Sequence, residues 1–431
     1  MKNSAVLTSA KPYLPTKRPV NTPYTSAQPR LLRRLVLGRL RTLRHGQLTL
    51  VEAHGSRHFG STEVDKTDLH VTVTVHDPAL YRRIALRGSI GVGEAYMAGE
   101  WSCDDLTALV RLFILNRPVL DSLEYGPAQL SMWLFKLGHW LRRNSKAGSR
   151  ANIAAHYDLG NTFYRLFLDN SMMYSCALFE TPNQSLEQAS QAKLARICQK
   201  LQLGPNDHVL EIGTGWGGFA LYAAQHYGCR VTTTTISQEQ YQLARSRIVQ
   251  ADLQDHIELL CKDYRDLDGQ YDKLVSIEMI EAVGHENLNR YFQTCSRLLK
   301  NDGMMLLQAI TIADQEYQRA CREVDFIQKY IFPGGSLPSV TALSQSLTQA
   351  SDLRIFHLDD IGPHYALTLR HWRQRFLQQL DQVRAQGFSE SFIRMWEYYL
   401  CYCEAGFSER ALGTVQLLLT KPLCRREPVL A

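Results

Sequence analysis

Nowhere in the 431 residues do the ~18 to 20 apolar side chains that a spanning helix needs run together, and mean hydropathy is −0.24. A protein integral to a membrane is not expected. The ten cysteines include no CxxC pair and no His-rich companion motif, which predicts free thiols in a reducing compartment and no metal site. After Met1-Lys2-Asn3 there is no apolar segment leading to a small-residue cleavage site, so a secretory signal is not expected either. Acidic residues are missing from the first fifty positions. The chain's 48 Lys/Arg and 42 Asp/Glu are unevenly spread: residues 1–50 hold ten of the former and none of the latter, leaving the remainder at −4. A basic leader on a mildly acidic body implies an anionic partner, nucleic acid or phospholipid. With 45% apolar and 21% charged residues, most of the length is predicted to be globular.

Residues 1–28, rich in Pro, Ser and Thr, read as a flexible basic arm. From Arg30 to Arg44 arginines interleave with Leu31, Leu32, Leu35, Val36, Leu40 and Leu43, the pattern of a basic amphipathic helix. Such leucines serve equally well to lie on a bilayer surface or to pack on the next domain. Alternating residues in 48–80 predict a small β element. The stretch Arg87–Trp101 holds three close glycines without a following Lys-Ser/Thr, and reads as a turn rather than a phosphate loop. Residues 131–150, aromatic then basic, mark a linker. Strands at 207–212, 229–235, 256–261, 272–277 and 303–311 then alternate with helices at 217–227, 238–251 and 286–300, which predicts a doubly wound α/β sheet. An apolar, aromatic insert follows at 314–350, and 365–404 is strongly helical.

The most informative segment is Val209-Leu210-Glu211-Ile212-Gly213-Thr214-Gly215-Trp216-Gly217-Gly218, a buried strand entering a glycine turn and a helix. Glycines there let backbone N–H groups approach a ligand closely, which implies a nucleoside cofactor. The spacing satisfies G-x-G-x-x-G, but Val231–Ser237 offers no carboxylate for ribose hydroxyls, so a dinucleotide is disfavoured. The acidic residue of E-x-G-x-G, with Asp263-Tyr264 after the third strand, instead resembles the class I S-adenosylmethionine methyltransferases.

Further stretches together resemble the cyclopropane-fatty-acyl-phospholipid synthase family from about residue 85 to 420. They are Ile153–Asn161 with Tyr164, Met173–Ala177, Glu278–Gly284, Phe326–Gly335 and His364–Leu369. The resemblance implies a Rossmann-like class I methyltransferase fold with a helical insert and a small N-terminal α+β domain. Its domains would be a lipid-engaging 29–130, the linker 131–150 and a catalytic 151–431. The implied activity is methylene transfer from S-adenosylmethionine to the cis double bond of an unsaturated phospholipid acyl chain, giving a cyclopropane. An olefin is a feeble nucleophile, so the reacting atoms need a dry, apolar pocket. Tyr157, Phe163, Tyr174, Phe332 and Tyr365 are the aromatic faces available to a carbocation.

The resemblance also implies a bound bicarbonate as base, held by Cys176, Glu281, Tyr365 and a histidine whose place here is taken by Gln308. A glutamine amide donates a hydrogen bond but carries no charge and shuttles no proton. Methyl-branched products, or a methyltransferase acting on a soluble small molecule, therefore stay open as alternatives. Glu278 and Glu281, both beside apolar residues, lean toward a site. Cofactor contacts carried over are Tyr174 and Ser175 at the methionine end, Glu211, Gly213 and Gly215 at the turn, Thr235 and Gln240 at the ribose, and Asp263 and Tyr264 toward adenine. Cys403 matches a cysteine once proposed as the family's nucleophile. The implied setting is peripheral, on the cytoplasmic inner face of the membrane, as a homodimer and without nucleic acid.

Overall fold

The computed structural model describes residues 27–60, 69–124, 148 and 159–427. The arm before residue 27, nearly all of the 131–150 linker, and Tyr157 lie outside the described residues. The chain divides into two compact units. The first takes in the described residues up to 124 together with Phe376–Ala405; the second takes in those from 148 to Arg375 and from Gly406 to 427. Residues 376–405 thus leave the single 151–431 stretch expected from the sequence.

In the first unit, strands β1 (Gln47–Glu52), β2 (Gly55–Gly60), β3 (His70–Val75) and β4 (Trp101–Cys103) form a sheet in the order β2-β1-β3-β4. Residues 87–97 are not the turn expected. They belong to two helical segments within Ala79–Met97 that meet at a kink, where Gly88 takes φ 55° and ψ −137°. Leu80, Ile84, Ile90 and Ala95 are buried on either side of the break, whose positive φ glycine adopts readily. The basic helix spans Ala27–Leu40: Val36, Leu37 and Leu40 are buried, while Leu31 (68% exposed) and Leu35 face solvent.

The second unit is built on seven strands: β5 (His208–Ile212), β6 (Arg230–Thr234), β7 (Ile257–Leu260), β8 (Tyr271–Ile277), β9 (Leu299–Ile312), β10 (Arg354–Asp360) and β11 (Leu412–Thr420). Their order is β10-β11-β9-β8-β5-β6-β7; β9 through β7 pair in parallel, and β11 is antiparallel to both neighbours. Strand β5 is apolar on both sides because helices cover both faces. Val209 joins Phe219, Ala223, Leu194 and Ile197 on one face, and Leu210 and Ile212 join Tyr291, Phe292, Leu298 and Leu343 on the other. The chain leaves β5 toward β6 in one direction and comes back to β8 on the other side. This reversal opens a crevice at the carboxyl ends of β5 and β8, where open α/β sheets bind ligands.

Candidate active site

The turn after β5 lies at that crevice. Gly213 and Gly215 have φ of 105° and 53°, and the Gly213 and Thr214 N–H groups donate to the Thr234 carbonyl. A Cβ on Gly213 would meet Met279 Cγ at 3.1 Å, whereas one on Gly215 would meet nothing within 4 Å. The turn is closed on one side and open on the other. Glu211 faces the neighbouring strand: its Oε2 accepts from Thr233 Oγ1 at 2.6 Å, and burial pushes its carboxyl up to about 8. After β6, Thr235 Oγ1 donates to Gln240 Oε1 at 2.8 Å, so the Gln240 amide NH₂ is the end left to donate. Ser237 caps the helix Gln238–Gln250 and holds Gln240 in its first turn. Asp263 is 3% exposed and accepts from the N–H, Nε and Nη2 of Arg265. Tyr264 packs edge-on against Tyr291. An open glycine turn, an amide donor and a caged carboxylate fit a nucleoside cofactor.

At the methionine end expected above, Tyr174 sits among Tyr164, Phe332 and Trp372, with ring centroids 5.4, 6.3 and 5.1 Å away. Ser175 is buried, and its hydroxyl accepts from the Lys193 ammonium at 2.7 Å. Lys193 is itself fully buried, and burial lowers its pKa. No sequence pattern had singled it out.

The second centre follows β8. Glu278 carries φ 48°, a left-handed backbone that favours glycine, and its N–H donates to the Gln308 carbonyl. Its Oε1 accepts from the Cys176 backbone N–H at 2.9 Å and from Gln308 Nε2 at 2.8 Å, and its Oε2 accepts from the Tyr365 hydroxyl at 2.6 Å. Tyr365 stacks on Phe407 at 4.4 Å and meets Trp372 edge-on. Burial pushes the Glu278 carboxyl up, and the three donors and Lys193 pull it back. Glu281 is placed differently. One oxygen accepts from the Ile310 N–H at 2.6 Å; the other is buried without a partner, and burial with the nearby Glu278 charge pushes the carboxyl up to about 8.

Behind Gln308 runs a relay that the sequence reading missed. Gln308 Oε1 accepts from Gln416 Nε2 at 3.0 Å, Gln416 Oε1 accepts from Lys200 Nζ at 2.8 Å, and Lys200 also pairs with Asp359. Lysine only donates and an ionised carboxylate only accepts, so these two ends fix the orientation of both amides. Gln308 and Gln416 face each other across β9 and β11, each a lone amide in an apolar strand run, which is the signal that finds them.

The donors that the resemblance assigned to bicarbonate are therefore not waiting for an external anion. The Cys176 N–H, the Gln308 amide and the Tyr365 hydroxyl all end on Glu278, while Glu281 contributes none of these bonds. The residues present do not fit bicarbonate as a separate group. The Cys176 thiol is wholly buried, and burial holds it well above the usual thiol range, so its backbone rather than its sulfur serves the centre. Cys403 lies on the helix Glu390–Ser408 in the first unit, partly buried, whereas the other named site residues belong to the second.

Comparison with known proteins meets this geometry. The mycolic acid cyclopropane synthetase family matches residues 144–417. Tuberculostearic acid methyltransferase of Mycobacterium tuberculosis is 40% identical over 88% of this chain and 89% of its own. Cyclopropane-fatty-acyl-phospholipid synthase of Escherichia coli K12 is 37% identical over 81% and 87%. Among solved structures, a cyclopropane synthase of Mycobacterium tuberculosis (29% identity, TM-score 0.59) and a mycolic acid cyclopropane synthase complexed with SAH and CTAB (31%, TM-score 0.60) each cover 63% of this chain and 98% of their own. With a nucleoside turn at the switch point and a family match spanning more than half its length, the chain belongs to the mycolic acid cyclopropane synthetase family and is an S-adenosylmethionine-dependent methyltransferase.

Proposed function

We propose that the chain transfers a methylene unit from S-adenosylmethionine to the cis double bond of an unsaturated phospholipid acyl chain, forming a cyclopropane fatty acid. The observation that carries this reading is a half-buried carboxylate, Glu278, bonded by the hydroxyl of Tyr365, whose ring lies in an aromatic cluster with Phe407, Trp372 and Tyr174. When bound, S-adenosylmethionine supplies an electrophilic methyl carbon. The protein's task is then to exclude water, to offer π faces to a cationic olefin carbon, and to accept a proton. Gly213 and Gly215 admit the cofactor, and Thr235, Gln240, Asp263 and Tyr264 hold its nucleoside. Tyr174 and Ser175 flank its methionine end, and Glu211 braces the turn through Thr233. Cys176, Glu281, Gln308 and Tyr365 form the reaction centre with Glu278.

The same reading puts the enzyme peripherally on the inner face of the membrane, as a homodimer. The first unit engages lipid through Leu31 and Leu35, exposed among Arg30, Arg34 and Arg39. No described helix is long and apolar enough to cross a membrane. A second reading, in which the reaction stops at a methyl branch, is favoured by the 40%-identical relative, a tuberculostearic acid methyltransferase. Incubation with labelled S-adenosylmethionine and vesicles of monounsaturated phospholipid tests both. A fatty acid gaining one CH₂ is expected, and its fragmentation distinguishes ring from branch. Label transfer that needs no lipid would overturn the proposal.

A further inference from the structure

The bicarbonate implied by family resemblance and the carboxylate found in the structure compete for one place. A bound bicarbonate would present carboxylate-like oxygens to a backbone N–H, a side-chain donor and a tyrosine hydroxyl. In this chain those three donors already meet two oxygens, and the oxygens belong to Glu278. We propose that Glu278 is the chain's own general base, a tethered carboxylate standing where an external anion would sit, so that turnover needs no bicarbonate. This rests on the lipid-methylating reading above.

Four observations support it. The carboxylate is half-buried and accepts from a backbone N–H, an amide and a hydroxyl, donors of the kind an ionised base requires. The buried Lys193 ammonium supplies compensating charge. The residue stays at φ 48°, a strain of about 1–2 kcal/mol for a side chain other than glycine, and retained strain of this kind clusters at functional positions. Finally, the Lys200–Gln416–Gln308 relay holds the amide donor toward it.

The step balances without another reactant. The olefin π pair bonds to the methyl carbon as the C–S bond breaks, its pair staying on sulfur and the positive charge passing to the other olefin carbon. Glu278 then takes one proton from the new methyl group, and the released C–H pair closes the third ring bond. The carboxylic acid returns its proton to solvent.

The test uses the full chain and its Glu278→Gly and Glu278→Gln variants. Glycine suits the left-handed backbone, so the first variant should fold, and an S-adenosylmethionine affinity within about threefold of the parent checks this. In buffer scrubbed of CO₂ the parent should methylate vesicle lipid at its full rate, and added bicarbonate should change that by less than twofold. Glu278→Gly should lose roughly 10²–10⁴-fold, the usual worth of a general base, and regain at least tenfold with bicarbonate or formate. Glu278→Gln, which fills the place with an amide, should lose as much and regain nothing. A bicarbonate requirement in the parent, or full activity in scrubbed buffer for either variant, overturns the proposal. A substrate-free measurement separates it from the lipid reading. By ¹³C NMR with labelled bicarbonate, Glu278→Gly should bind one equivalent and the parent none. Binding to the parent refutes the tethered base whatever the substrate, whereas absence of lipid product with this binding pattern intact refutes only the lipid assignment.

Discussion

Replacing Gln416 by glutamate changes one NH₂ group into an oxygen, two side chains away from Glu278. Glutamate would pair with Lys200 at least as well as the amide does, since Lys200 already sits 2.8 Å from that side chain. It can no longer donate to Gln308 Oε1. The buried Gln308 amide must then turn its NH₂ toward residue 416 and its carbonyl toward Glu278. One hydrogen bond to a charged group is worth about 1.5–3 kcal/mol, which lowers turnover by roughly 10- to 150-fold if that donor orients the base. The pH profile separates this from a merely structural defect. Around Glu278 stand Lys193, Tyr365, the Cys176 N–H and Glu281. Losing a donor and gaining a nearby anion both favour the protonated form, so the acid limb of kcat/KM should move to higher pH. Gln416→Leu, which removes the donor without adding an acceptor, should destabilise the fold with a smaller shift of the limb. Lipid methylation measured from pH 5 to 9, with thermal melts alongside, makes the comparison. A glutamate variant with unchanged turnover and an unmoved acid limb would refute the amide-orientation argument.

Two further outcomes follow from buried groups. Burial pushes Glu211 up to about 8 from 4.5, so the folded state holds a proton there that the unfolded chain has released. Stability from this group is therefore present below pH 4.5 and lost as pH rises toward 8, and Glu211→Gln should gain on the parent by at most about 4 kcal/mol between pH 5 and 8.5. Urea titrations across that range check it, and parallel pH dependences of parent and variant would contradict it. Cys176→Ala keeps the backbone N–H that serves Glu278 and removes only a protonated thiol. Turnover should stay within about threefold, with roughly 1 kcal/mol of stability lost to the small cavity; a hundredfold drop would show that the sulfur takes part.

Much of the catalytic unit was legible because its strands are buried on both faces and its helices are amphipathic. Strands read at 207–212, 229–235 and 272–277 stand within a residue or so of β5, β6 and β8. Strands β10 and β11 escaped. Ile355, Phe356 and Leu358 of β10 are partly solvent-exposed, so the strand lacks a clean two-residue alternation, and β11 re-enters the sheet antiparallel after a long helical stretch. At the site, the glycine turn was marked by its spacing, and Asp263 only by resemblance. Family resemblance pointed to Glu281, while the hydrogen bonds converge on Glu278, three positions earlier. Nothing local distinguishes two glutamates in Glu278-Met279-Ile280-Glu281; the backbone twist at Glu278 and donors from β9, residue 176 and residue 365 do. The arginines and leucines of 30–44 carried two meanings at once, because packing and exposure draw on the same residue types; the helix packs one flank and exposes the other.

The division of the chain has a practical consequence for anyone wishing to dissect it. Because the backbone passes from one unit to the other near residue 131, again near 375 and once more near 405, no single cut yields two complete halves. Removing the first 130 residues would strand the segment 376–405, whose Glu397 accepts from the Tyr96 hydroxyl and whose Glu404 accepts from Thr107. A truncated catalytic fragment would carry an orphaned, aromatic-rich stretch prone to aggregate, and a useful minimal version would need that stretch replaced by a short connector rather than merely a new starting methionine.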